Sequence, residues 1–285
     1  MPAPDRPLAG VRGLLLDLDG VVVLKGEAIP GAADAIAEIH RRGIPYRIVT
    51  NTSLVSRKSL AKFGASQGMP VDPAHILSAL SVSAAYTKQH YPDAPLYVLA
   101  SDDARSEFAG QHLLTDEEAG KLDARAAAVV VGDSPEIVNY PTINRAFRLI
   151  RNGAALVAMH KNRWWLTPDG PTIDSGSIVV GLEFAAGVRA ITVGKPARAF
   201  FSQAAAELAA EAAGRGDPRL RRRDIVMVGD DLDSDVRAAQ RAGLRGAFVL
   251  TGKHTRADVD RRRTSNRPLP DLVAESLGAV VAALG

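Results

Sequence analysis

The sequence predicts an α/β protein built on a mainly parallel sheet. Strand-like apolar runs alternate with helix-like segments from end to end. No repeat of 20–50 residues breaks that alternation. Polar residues collect where the apolar runs stop, which in an open parallel sheet is where ligands bind. At 285 residues the chain is long for one small domain and short for three, so two modules are expected.

The first strand covers 13–16 and ends at Asp17. Pro30 opens a helix over 30–42, at a first-turn position where its missing N–H costs nothing, and Gly43 stops it. Residues 46–49 form the second strand, ending in Thr50-Asn51-Thr52-Ser53. Ser53 can cap a helix that runs to about 67, with Gly68 as its stop. From about 76 to 187 the alternation restarts, with strands at 96–99, 128–131 and 156–159. Helices are expected there at 74–90, 104–110, 142–152 and 177–186. Next come a strand at 190–193, a helix at 199–213 and an apolar run at 225–228 that ends in Gly229-Asp230. A helix at 233–242 and a strand at 246–250 follow. The charged, proline-bearing stretch 256–270 reads as a surface loop, and 271–284 as a closing helix.

Composition narrows the function classes. Hydrophobic residues at 46% and charged residues at 24% describe a globular chain rather than a disordered one. No stretch approaches the ~18 consecutive apolar residues of a membrane span, so no membrane partner is expected. The opening MPAPDRPLAG lacks the basic-then-apolar order of a signal peptide. The absence of cysteine excludes disulfides, thiolate metal sites and cysteine nucleophiles, and suits a cytoplasmic protein. A net charge of +3 is too near balance to announce a nucleic-acid binder. The arginine runs at 219–223 and 261–263 read as exposed connectors, with no aromatic residues interleaved for stacking on bases.

Four strand ends carry the chemistry: Asp17-Leu18-Asp19-Gly20, Thr50-Asn51, Gly194-Lys195-Pro196, and the acidic loop 230–235. Two carboxylates two residues apart can face one space if the chain is still near-extended. The pattern is cheap, recurring at Asp231/Asp233, Asp233/Asp235 and Asp258/Asp260. Asp17/Asp19 stand apart because Leu14-Leu15-Leu16 precedes them and Gly20-Val21-Val22 follows. The loop 230–235 holds four carboxylates in six residues, a costly arrangement without a cation. All-oxygen ligation without nearby His or Cys suits Mg²⁺ rather than zinc. Asp230 reads as a metal ligand, Asp233 as a helix cap, and Asp235 as either. Lys195 supplies the opposite charge and Thr50 a hydroxyl donor.

In order and type, Asp17/Asp19, Thr50, Lys195 and 230–235 resemble the four motifs of the haloacid dehalogenase superfamily of aspartate-nucleophile phosphohydrolases. The long interval between Thr50 and Lys195, with Val193-Gly194-Lys195-Pro196, is similar to the type IIA subgroup, which carries a large α/β cap after the second motif. Gly229-Asp230-Asp231-Leu232-Asp233-Ser234-Asp235-Val236, Thr251-Gly252-Lys253 and Arg163-Trp164-Trp165 resemble the branch containing phospholysine phosphohistidine inorganic pyrophosphate phosphatase. Many subgroup members have Asn-x-Asp near His160-Lys161-Asn162-Arg163; this chain does not.

The resemblance implies a Rossmann-like doubly wound parallel core at 1–76 and 188–285, with a type C2a α/β cap inserted at 77–187. It implies Asp17 as nucleophile and Asp19 as general acid/base, with Thr50, Asn51 and Lys195 around the phosphoryl group. Mg²⁺ would sit on the Asp17 carboxylate, the Asp19 backbone carbonyl and Asp230, with Asp235 supporting those ligands. The substrate would be a small phosphorylated molecule. The cap would close over the site and exclude water, and it is a candidate homodimer interface. The loop 160–165 could touch the leaving group, although Trp164 and Trp165 read equally well as hairpin packing. A non-catalytic phosphate-ligand binder or regulatory protein on the same fold is the alternative; retention of Asp17, Asp19 and Lys195 weighs against it.

Overall fold

The computed structural model describes residues 7–217 and 219–284. They form two compact units: Met1–Thr50 with Ala61–Leu77 and Lys195–Gly285, and Asn51–Leu60 with Ser78–Gly194.

The sheet of the first unit has six strands, in the order Leu272–Ala274, Arg245–Val249, Ile225–Gly229, Gly13–Asp17, Tyr46–Thr50 and Ile76–Ser78. Pairings among the first five are parallel. Leu14, Leu15 and Leu16 are all fully buried, as a central strand covered on both faces requires. Helix Ala32–Arg41 turns Ala32, Ala35, Ile36 and Ile39 inward at helical spacing. Helix Arg198–Gly214 buries Phe200, Phe201, Ala204, Ala205, Leu208 and Ala212. After Gly13–Asp17 the chain adds strands on one side; from Ile225–Gly229 it adds them on the other. The order reverses between these two neighbours, which pair Leu14↔Val226 through Leu16↔Val228. A crevice opens at such a reversal, at the carboxyl ends of the strands. Asp17 and Asp230 stand there.

The second unit has its own parallel sheet, ordered Ile191–Thr192, Ala155–Ala158, Ala128–Val131 and Leu96–Leu99. Tyr97, Val129, Leu149, Leu156 and Leu182 are among the residues of its core. A hairpin pairs Trp164–Thr167 with Gly170–Ile173.

Several elements differ from the sequence reading, each for a local reason. The strand expected at 190–193 as part of the core segment is Ile191–Thr192, and it pairs with Ala155–Ala158 of the second unit. Residues 51–60 also cluster with that unit. Ser56 N–H donates to Asp103 Oδ2 at 2.7 Å, and Arg57 Nη2 meets Glu107 Oε2 at 2.8 Å. The helix expected from 53 starts at Arg57, with Ser56 Oγ accepting from Ser59 N–H, because Ser53 is engaged elsewhere. The helix expected at 74–90 splits into a 3₁₀ turn at Pro73–His75, strand Ile76–Ser78 and helix Ala79–His90, which Ser78 caps through a capping box with Ser81. The predicted loop 256–270 holds helix Arg256–Thr264, whose capping box joins Thr255 to Asp258 and whose Val259 is buried. Within it, Arg262 is a buried partner of Asp233 rather than an exposed connector. Strand Leu272–Ala274 precedes the final helix, Leu277–Ala283, which starts only after its Ser276 cap. Among the described residues no helix is long and apolar enough to cross a membrane.

Candidate active site

The crevice of the first unit is lined by charge. Asp17, the last residue of its strand, is 7% exposed, and Lys195 is 3% exposed. Lys195 Nζ lies 2.7 Å from Asp17 Oδ1 and 2.7 Å from Asp235 Oδ1. It also donates to the Val49 carbonyl at 3.4 Å. The backbone N–H of Leu18 donates to Asp17 Oδ1 as well, at 2.8 Å. Asp17, Asp230 and Asp235 each bring an oxygen to within 4.8 Å of the others.

Backbone geometry builds this cluster. Asp235 sits in a π-helical turn, Leu232–Arg237, and is fully buried against the end of strand Ile225–Gly229. Only glycine fits at 229, where a Cβ would stand 2.3 Å from Asp235 Cβ. Asp230 Oδ2 accepts the Lys253 N–H at 2.6 Å. Its carboxylate is packed between Gly20 and Gly252, where a Cβ would stand 2.1 Å and 1.9 Å from Oδ2. Gly20 also has φ of 78°, a left-handed value that side chains disfavour. Thr251 Oγ1 donates to the Gly20 carbonyl at 2.5 Å, tying the two glycine loops together.

Burial raises the Asp17 carboxyl to about 6; Lys195 opposes the shift and Asp230 adds to it. Asp230 is raised to about 7, again first by burial and then by Asp235, with the Lys253 N–H opposing. Asp235 is also raised by burial and by Asp17. Burial disfavours the Lys195 charge, but Asp17 and Asp235 outweigh it and push the pKa up. Among the described residues of this cluster, full ionisation of the three carboxyls would set three negative charges against the Lys195 ammonium, an excess of two in a buried space. Two such charges 4.8 Å apart repel by about 3.5 kcal/mol at an effective dielectric of about 20. A divalent cation removes that excess, and an all-oxygen donor set suits a hard ion such as Mg²⁺.

Asp17, Lys195, Asp230 and Asp235 therefore meet. Asp19 is exposed outside the carboxylate cluster, close enough for its charge to raise Asp17. Thr50 is buried at the end of the strand next to that of Asp17. Asn51 falls in the second unit, where Nδ2 donates to Asn162 Oδ1 at 3.1 Å. The helix cap expected at Asp233 is supplied by Asp231, whose Oδ1 accepts the N–H groups of Asp233 at 2.9 Å and Ser234 at 3.0 Å. Asp233 instead pairs with Arg262 at 2.5 Å. Burial works against the Asp231 charge, but Lys253 and those two N–H groups hold its pKa down at about 2. Sequence reasoning missed the work of Gly229, Gly252 and the Lys253 N–H. Their signal was glycine standing next to, or looping back onto, an acidic motif.

Comparison with known proteins agrees with this geometry. A haloacid dehalogenase-like hydrolase family model matches residues 14–113, and a HAD-hydrolase-like model matches residues 192–280. Haloacid dehalogenase-like hydrolase domain-containing protein 2 of Bos taurus is 32% identical over 266 residues, 93% of each chain. The chain belongs to the haloacid dehalogenase-like hydrolase family. Phospholysine phosphohistidine inorganic pyrophosphate phosphatase of Bos taurus is 31% identical to this HAD-like hydrolase over 284 residues, 97% of each chain. The p-nitrophenyl phosphatase from Archaeoglobus fulgidus superposes with a TM-score of 0.83 at 27% identity, covering 96% of this chain and 99% of that one. The HAD-like hydrolase is thus an enzyme of the phosphatase group, of type IIA, with a Rossmann-like α/β core and a cap.

The glycine packing around Asp230 gives a direct test. Gly252→Ala is expected to weaken Mg²⁺ binding at least tenfold in a calorimetric titration, because its Cβ displaces the Asp230 carboxylate. Gly278→Ala, whose nearest neighbour would be Ser276 Oγ at 3.7 Å, should leave the isotherm unchanged.

Proposed function

We propose that this enzyme is a Mg²⁺-dependent phosphohydrolase of small phosphorylated molecules that works through an aspartyl phosphate on Asp17. The observation that carries the reading is the Asp17 carboxylate, held by Lys195 beside Asp230 and Asp235 at the reversal of strand order. Among its relatives are proteins named for phospholysine, phosphohistidine and inorganic pyrophosphate, and for p-nitrophenyl phosphate. A phosphate monoester, a pyrophosphate or a phosphoramidate is the substrate class assigned here. The cysteine-free composition supports placing the enzyme in the cytoplasm.

A carboxylate can attack phosphorus without an activating base because it is already ionised. Both Asp17 contacts described above fall on Oδ1, so Oδ2 is assigned as the attacking oxygen. Its lone pair forms the new O–P bond as the P–O or P–N bond to the leaving group breaks. Asp19 gives its proton to the leaving atom. In the second half, Asp19 takes a proton from water, and the hydroxide attacks phosphorus. That step releases inorganic phosphate and restores the Asp17 carboxylate. The Thr50 hydroxyl and the Asn51 N–H donate to the phosphoryl oxygens, whose charge must be held in the transition state. Lys195 orients Asp17 and supplies one positive charge, and Asp235 orients Lys195. The Asp17 carboxylate, the Asp19 carbonyl and Asp230 would hold Mg²⁺, which supplies charge neutralisation toward an incoming phosphate dianion.

We also place a second copy of the chain against the cap helix Gly176–Ala186. Val180 (52% exposed) and Phe184 (90% exposed) stand one turn apart on its outer face. Glu183, the only charged residue of the helix, is buried. Val188 and Ile191 extend the apolar surface toward an edge strand. Exposed apolar residues on an outer helix face support reading it as an interface.

Asp17→Asn is expected to lower p-nitrophenyl phosphate turnover by about 10³-fold or more while leaving the fold intact by circular dichroism. Retention of a tenth of wild-type activity would reject Asp17 as nucleophile. EDTA should abolish turnover and added Mg²⁺ restore it; undiminished hydrolysis in chelator rejects the metal assignment. Light scattering at about 50 μM protein should report a dimer that Phe184→Glu converts to monomer. A wild-type monomer at that concentration excludes the cap interface.

A further inference from the structure

Thr50 is the last residue of the first unit here, and Asn51 the first residue of the second. The peptide between them carries the N–H assigned above to a phosphoryl oxygen. Its amino-terminal side is fixed by the sheet, through the pairing of Val49 with Asp17. Its carboxyl-terminal side, Asn51-Thr52-Ser53, belongs to no helix or strand.

Side chains of the cap hold that segment. Asn51 Nδ2 donates to Asn162 Oδ1 at 3.1 Å. Ser53 Oγ accepts the Asp133 N–H at 2.7 Å and lies 3.3 Å from His160 Nε2. His160 is 2% exposed, with Ser175 Oγ 3.3 Å from Nε2 and Asp174 Oδ1 3.7 Å from it. The Asn162 N–H donates to His160 Nδ1 at 3.4 Å, which assigns the ring proton to Nε2, facing Ser53. The loop carrying both residues is itself built rigidly. Gly176 N–H donates to the Asn162 carbonyl at 3.1 Å. A Cβ at 176 would stand 2.2 Å from that oxygen. Lys161 Nζ is bonded to the buried Glu183 at 2.8 Å.

We infer that His160 and Asn162 are positioning residues, which clamp Ser53 and Asn51 and so aim the Asn51 N–H at the transferring phosphoryl group. The assignment rests on the phosphohydrolase reading above and deepens it. Neither residue needs to touch the substrate. A donor displaced by about 1 Å can cost about 10²-fold in rate, so a clamp on three residues without regular structure has a large lever. Sequence reading placed His160 only within a loop that could touch the leaving group; its contacts run to Ser53 and Ser175 instead.

The experiment measures kcat, KM and orthovanadate inhibition on p-nitrophenyl phosphate and on inorganic pyrophosphate. Asn162→Ala and His160→Leu are expected to lose at least tenfold in kcat/KM, and to weaken orthovanadate inhibition by the same factor. His160→Gln, whose amide N–H can reach Ser53, should recover to within threefold of wild type. Because the phosphoryl group is common to both substrates, the loss should be equal on both. A loss confined to one substrate means contact with the leaving group and overturns the positioning role. If His160→Leu does not fold, the cycle of Asn51→Ala with Asn162→Ala decides: a double variant no worse than either single one supports the clamp, and additive losses overturn it. Folded variants with wild-type kcat/KM and vanadate inhibition also overturn it. Asp17→Asn separates the two levels. If that variant stays active, the catalytic reading fails; if it is dead while the clamp variants are normal, only the clamp fails.

Discussion

The structure turns on an imbalance of charge. Asp17, Asp230 and Asp235 are buried together, and the ammonium of Lys195 lies against Asp17 and Asp235. Burial raises all three carboxyl pKa values, so folding works against their ionisation. Such a cluster persists only where the backbone forces it and where ligands of opposite charge repay it. It is poised between accepting protons and accepting a cation, which makes it responsive to whatever binds.

What forces it is largely the absence of side chains. Glycines at 20, 229 and 252 leave the space that Asp230 and Asp235 occupy. The reversal of strand order then brings Asp17 and Asp230, far apart in sequence, to neighbouring strand ends. Neither feature does chemistry. Together they determine where every reactive atom lies, and they cost stability that the apolar strands behind them must offset.

Much of this could be read from the chain before any coordinates. Asp17, Lys195 and Asp230 were legible because each ends or follows an apolar run, and a parallel sheet gathers such ends on one edge. The acidic loop was legible as a cluster but not in its division of labour. The cap expected at Asp233 falls to Asp231 instead, because Lys253 and Arg262, distant in sequence, pair with Asp231 and Asp233 respectively. Helix Arg256–Thr264 was hidden by its charge, since only Val259 and Arg262 are buried and the capping box carries the signal. Strand Ile191–Thr192 was found, but not the sheet it joins: two apolar residues cannot announce their partner. Residues 51–60, read with the segment 1–76, cluster with the second unit, where Asp103 and Glu107 hold them only in three dimensions.

That last feature bears on how this architecture can be rearranged. The second unit is assembled from two separate stretches, Asn51–Leu60 and Ser78–Gly194. A graft of 78–194 onto another scaffold would arrive without the donors that Asp103 and Glu107 expect, leaving two carboxylates unanswered. Recombination between homologues that treats the cap as one cassette should therefore misfire unless the short stretch travels with the long one. Substrate preference in such a lineage would diversify by point change within the cap more readily than by wholesale exchange.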